Sequence, residues 1–132
     1  MKKQFLIIFL LLLSSASIVL NSCKKDDDPV DLALTALTAG DIDLNSAISP
    51  SNVPVDPVIK ATFNTDIDAA TATAANIILT QDYDNTNIPV TISVSANTIT
   101  ITPEGTLGNG TLYKLELTAG IKSTDAKALA AV

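Results

Sequence analysis

"IPVTISVSANTITIT", residues Ile88 to Thr102, decides the fold. Ile88, Val90, Ile92 and Val94 alternate with Pro89, Thr91, Ser93 and Ser95. After Ala96-Asn97 the alternation resumes, with Ile99 and Ile101 between Thr98, Thr100 and Thr102. A period of two puts the apolar side chains on one face of an extended chain. Two such runs joined by a two-residue turn predict an antiparallel hairpin with one face buried.

The same signal recurs on either side. Upstream, Ile59, Ala61 and Phe63 alternate with Lys60 and Thr62, and Ile77 and Leu79 form a shorter strand. Downstream, Tyr113, Leu115 and Leu117 alternate with Lys114, Glu116 and Thr118. Between the runs lie turn-forming stretches: Ser49 to Pro57 holds three prolines, which exclude a helix, and Gly105 to Gly110 holds three glycines. Short strands at near-regular spacing predict an all-β, antiparallel sandwich. Pro29 to Gly40 reads two ways. Asp28, Pro29, Asp31 and Gly40 stand where helix punctuation stands, while Val30, Leu32, Leu34 and Ala36 alternate like a strand. A loosely packed linker is a third option.

Composition agrees. Of 132 residues, 47% are hydrophobic and 17% charged, which suits one domain plus a leader. Aromatics make up only 4%, with no Trp, so the core must come from Ile, Leu, Val and Ala around Phe63 and Tyr113. The formal charge is -6, and setting aside Lys2 and Lys3 leaves six lysines against 14 acidic residues, or -8. An acidic body without a basic cluster repels phosphate backbones, which excludes nucleic acid as a partner class.

The leader is explicit. Lys2 and Lys3 precede nine unbroken apolar residues, Phe5 to Leu13, and small residues lead to the single cysteine, Cys23. This is the layout of a secretory signal, too short in its apolar run for the ~20 residues of a spanning helix. A lone cysteine in an exported chain cannot close an internal disulfide. Leu20-Asn21-Ser22-Cys23 resembles a bacterial lipobox, with Asn in place of the preferred residue at its second position. That resemblance implies cleavage after Ser22 and lipidation (palmitate among the acyl groups) of the Cys23 sulfur. Lys24-Lys25-Asp26-Asp27-Asp28 then reads as a solvated tether. The acidic run is similar to the surface-export signal of Bacteroidetes-type lipoproteins, which implies an outer-membrane lipoprotein exposed at the cell surface; a periplasmic orientation is the alternative. The expected organisation is a signal peptide over 1–22, lipidated Cys23 and tether over 23–43, and the sandwich over 44–132.

Three quoted stretches carry a family resemblance: "SAISPSNVPVDPVIKATFNTDID" (46–68), "ANIILT" (75–80) and "TITITPEGTLGNGTLYKLELTAGIKSTDAKAL" (98–129). Their Pro-rich opening, Phe-then-acidic turn, Thr-Pro step, Gly-x-x-Tyr strand start and late Asp-bearing turn resemble the bacterial Ig-like domain of the Big_5 type. The resemblance implies an immunoglobulin-like β-sandwich with Phe63 in the core and Tyr113 as a corner tyrosine whose hydroxyl bonds back to the backbone. It also implies a last strand after Lys127. The sandwich then lacks an edge strand, or the sequence is the front of a longer protein whose activity lies downstream.

Chemistry is scarce. Without His or Arg, and with its cysteine consumed by lipid, the chain is left with carboxylates, Lys, Tyr and hydroxyls, and no catalytic residues are assigned. Three Asp-x-Asp pairs occur, at Asp41/Asp43, Asp66/Asp68 and Asp82/Asp84. Such pairs can gather oxygens around calcium, and Asp66, Asp68, Asp82 and Asp84 are the candidate ligands. They equally suit turns, because Asp bonds its own downstream backbone. Asp82 to Asn87 begins like an EF-hand loop, but Asn87 stands at the turn glycine and Ser93 at the bidentate glutamate. The expected function is that of a lipid-anchored envelope module acting as spacer or as interaction and adhesion domain, its partners a membrane and a protein or glycan ligand. The alternative is surface glycan binding supported by a calcium loop, for which Tyr83 is a lone stacking platform.

Overall fold

A computed structural model describes residues 30–46 and 48–130. Over these residues the chain forms strands β1 (Leu34–Ala39), β2 (Ile42–Asp43), β3 (Ile59–Phe63), β4 (Ile77–Gln81), β5 (Asn87–Ile88), β6 (Val90–Ser95), β7 (Thr98–Pro103) and β8 (Tyr113–Leu117). A 3-10 turn at Ala69–Thr71 precedes β4. Five strands make one sheet in the order β2-β1-β3-β7-β6, and three make the other in the order β5-β4-β8. Every pair of neighbours is antiparallel. The all-β antiparallel sandwich expected from the alternating runs is what forms.

The period-two pattern explains which faces meet. Ile59, Ala61 and Phe63 of β3 and Ile99 and Ile101 of β7 are buried, and the register sets Ile59 beside Ile101 and Ala61 beside Ile99. Ile77 and Leu79 of β4 and Leu117 of β8 are buried in the second sheet. Ile67, Ile121 and Leu129 come from connecting segments and complete the core. The β6–β7 hairpin turns at Ala96-Asn97, as the sequence predicts, and Ala96 takes a φ of 50°. Asn97 ties that turn to β3: its carbonyl accepts from the Phe63 N–H at 2.9 Å, and its Nδ2 donates to the Phe63 carbonyl at 2.8 Å.

One boundary differs from the expected organisation. Within the span 23–43 expected for the tether, β1 and β2 are strands of the larger sheet, and Leu32 and Ala39 are buried. The strand option for this ambiguous segment is the one that forms, with a bulge between Leu34 and Ala36 that the alternation did not foretell. The bulge moves the inward face from Leu32 and Leu34 to Leu37 and Ala39. Asn64 makes this entry possible. Its Oδ1 accepts from the Ala33 N–H at 2.9 Å and its Nδ2 donates to the Asp31 carbonyl at 2.8 Å, so a side-chain amide replaces the missing ladder bonds. Leu32 also bridges Leu129 in parallel.

Candidate functional site

The four aspartates weighed for calcium do not converge. Asp66 and Asp68 precede β4 and Asp82 and Asp84 follow it, and five residues of strand alone span roughly 14 Å. Calcium needs its oxygens within about 2.6 Å of one point. Among the described residues no three His, Cys, Asp or Glu side chains gather around a common centre. Each pair serves its own turn. The Asp68 Oδ1 caps the 3-10 turn by accepting from the Ala70 N–H at 3.1 Å. The Asp84 Oδ1 accepts from the Thr86 N–H at 2.9 Å, and this backbone bond holds the exposed carboxylate below its ordinary pKa. The Asp66 carbonyl accepts from the Thr124 N–H, and the Asp82 N–H donates to the Leu112 carbonyl. Between Asp82 and Asp84, Tyr83 is 86% exposed and stands without a second ring beside it among the exposed large apolar residues.

Tyr113 and Phe63 sit in structural positions. Phe63 is fully buried in β3. The Tyr113 hydroxyl accepts from the Gly108 N–H at 2.7 Å, across five residues, and so pins the Gly-rich loop to the start of β8. Cys23 and residues 1–29 lie outside the described residues.

Among the described residues one concave feature was announced by no motif. Between the sheets, at the end where the Pro-rich and Gly-rich loops meet, lies a partly open cavity of about 570 Å³. Leu37 of β1, Leu44, Ile59 of β3, Leu79 of β4 and Tyr113 and Leu115 of β8 form its apolar walls. The two loops are tied over it by the Leu107 N–H, which donates to the Val55 carbonyl. None of the described residues lining it is charged. Leu115 and Tyr113 were legible as inward residues of a strand, but nothing in their spacing reveals that their face is only partly covered.

Two antiparallel sheets packed over an apolar core, with turn-building aspartates outside, define an immunoglobulin-like β-sandwich module. The bacterial Ig-like domain family (Big_5) matches residues 42–132, and the chain belongs to that family. In fold it is similar to the N-terminal part of the bacterial S-layer protein SbsC, with a TM-score of 0.56 and 24% identity over 78% of this chain and 22% of that one. It is likewise similar to the S-layer protein rSbsC(31-844), with a TM-score of 0.57 and 23% identity over 78% of this chain and 13% of that one. The chain thus spans under a quarter of those S-layer chains, and the likeness is one of fold. No curated protein sequence matches it.

Proposed function

We propose that the chain is a lipid-anchored module of the bacterial cell envelope, an Ig-like domain that works as a spacer or docking body and performs no catalysis. One observation carries the reading. Among the described residues the only buried polar side chain is Ser123, and its hydroxyl is occupied by the Lys127 N–H at 3.1 Å. The interior of the described residues is thus devoted to cohesion, as a spacer requires. The fold likeness to parts of an S-layer protein supports a place in the envelope. The leader ending at Cys23 supports the anchor: several acyl chains, at about 0.8 kcal/mol per buried CH₂, hold a protein on a membrane durably. The acidic run Asp26 to Asp28 supports a place on the outer face of the outer membrane.

Growing cells that express the chain with a clickable palmitate test this directly. Label should enter the wild type, which should pellet with membranes, and should be absent from Cys23→Ser. Protease added to intact cells should then cut the anchored protein. An unlabelled wild-type chain in the soluble fraction would overturn the anchor, and protection from protease would place the domain on the periplasmic side.

A further inference from the structure

Asn109-Gly110 is the one Asn-Gly step of the chain, and both residues stand exposed at a turn of the Gly-rich loop. Gly110 has a φ of 66°, in the left-handed region, and a Cβ there would meet open space. Among the described residues nothing bonds the Asn109 side-chain amide or the Gly110 N–H. The loop is fastened just before this step, where the Leu107 N–H reaches the Val55 carbonyl and the Gly108 N–H the Tyr113 hydroxyl.

An exposed asparagine followed by glycine loses its amide without an enzyme. The Gly110 nitrogen gives up its proton and attacks the Asn109 Cγ. The N–Cγ bond forms, the Cγ–Nδ2 bond breaks, and ammonia leaves with that proton. Water then opens the cyclic imide. Addition at Cγ yields aspartate; addition at the main-chain carbonyl yields isoaspartate, whose backbone runs through the former side chain. Water enters, ammonia departs, and no electron changes hands. The rate depends on how closely the following nitrogen can approach Cγ, and glycine, with no Cβ, leaves the torsions between them most free.

The other described asparagines lack this combination. The amides of Asn64, Asn76 and Asn97 are held in hydrogen bonds. Asn52, Asn85 and Asn87 precede Val53, Thr86 and Ile88, whose stiff β-branched side chains crowd the attacking nitrogen. Asn45, followed by Ser46, is the nearest rival.

We propose that Asn109 is a site of spontaneous covalent conversion to aspartate and isoaspartate, which sets a carboxylate on the rim of the 570 Å³ cavity. None of the described lining residues carries a charge beforehand. The isoaspartyl product also lengthens the main chain by one carbon between Gly108 and Tyr113, the two ends of the hydroxyl clasp, and so loosens that clasp. The inference depends neither on lipid at Cys23 nor on a spacer role.

The full chain, held in warm buffer made with heavy-oxygen water and followed by peptide mass spectrometry, tests it. Asn109 should take up heavy oxygen roughly tenfold or more faster than any other described asparagine, a barrier difference of about 1.4 kcal/mol. Uptake should quicken in alkaline buffer, where the attacking nitrogen loses its proton more readily. Isoaspartyl methyltransferase should label the same peptide, and Asn109→Gln, which would have to close a larger ring, should abolish both signals. No uptake at Asn109 overturns the proposal, as does faster uptake at Asn45. Uptake confined to chain unfolded in urea also overturns it, because the fold would then shield the step. In the separated isoaspartyl form the Gly108 amide should exchange with solvent faster than in the fresh chain, and equal exchange would overturn the loosening.

Discussion

Asn76 holds three segments with one side chain. Its Nδ2 donates to the Thr71 carbonyl at 2.9 Å and its Oδ1 accepts from the Thr118 hydroxyl at 2.9 Å, while that hydroxyl accepts in turn from the Gly120 N–H at 3.2 Å. A Cβ at Gly120 would collide with the Asn76 amide, which cannot swing aside without breaking these bonds. Gly120→Ala should therefore cost about 1–3 kcal/mol, seen as a lower denaturation midpoint. Gly105→Ala, where a Cβ meets open space, is the matched control and should shift the midpoint little. None of this clamp is legible in the sequence, because Asn76 and Thr118 lie 42 residues apart. The aspartate pairs teach the converse. Spacing shows that two carboxylates are near each other, but says nothing of what separates one pair from the next.

At the scale of elements, the strands that read clearly are those whose alternation runs unbroken, β3, β6, β7 and β8. β1 reads two ways, because Asp28, Pro29, Asp31 and Gly40 stand where helix punctuation stands beside an alternation that runs from Val30 to Ala36, and the bulge after Leu34 shifts the inward phase to Leu37. The two-residue strands β2 and β5 are too short to carry a period at all. What docks β1 is a polar residue on another strand's end, and that makes it testable. Asn64→Ala should leave the Ala33 N–H and the Asp31 carbonyl without their partners, at a cost of about 1–3 kcal/mol. Faster amide exchange at Ala33, with Ala61 of β3 still protected, would localise the loss to the entry of β1. Equal loosening of both would mean that Asn64 supports the whole sheet.

For the molecule as a whole, the question is where the folding unit begins. Leu32 is 2% and Ala39 1% exposed, so the segment before Leu44 belongs to the core rather than to a tether. Stripping one buried leucine typically costs 2–5 kcal/mol, against a total stability of about 5–15 kcal/mol for a domain. A chain begun at Val30 should accordingly melt in one cooperative transition, and one begun at Leu44 should lose that transition or melt far lower. Equal melting of the two would return residues 30–43 to the tether. The family itself was legible from turns and core positions, whereas the cavity was not, since it depends on how far two sheets close over each other.

The parallel bridge between Leu32 and Leu129 has a mechanical meaning. It joins the first buried residue of the described chain to the last, side by side and pointing the same way. Pulling the amino end back and the carboxyl end forward slides these neighbours past each other instead of peeling them apart. The Asn64 clasp on Asp31 and Ala33, and the Leu129 N–H bonded to the Ile121 carbonyl at 2.9 Å, then bear the load together. A domain wired this way meets tension at its base, in shear, before any sheet is asked to open.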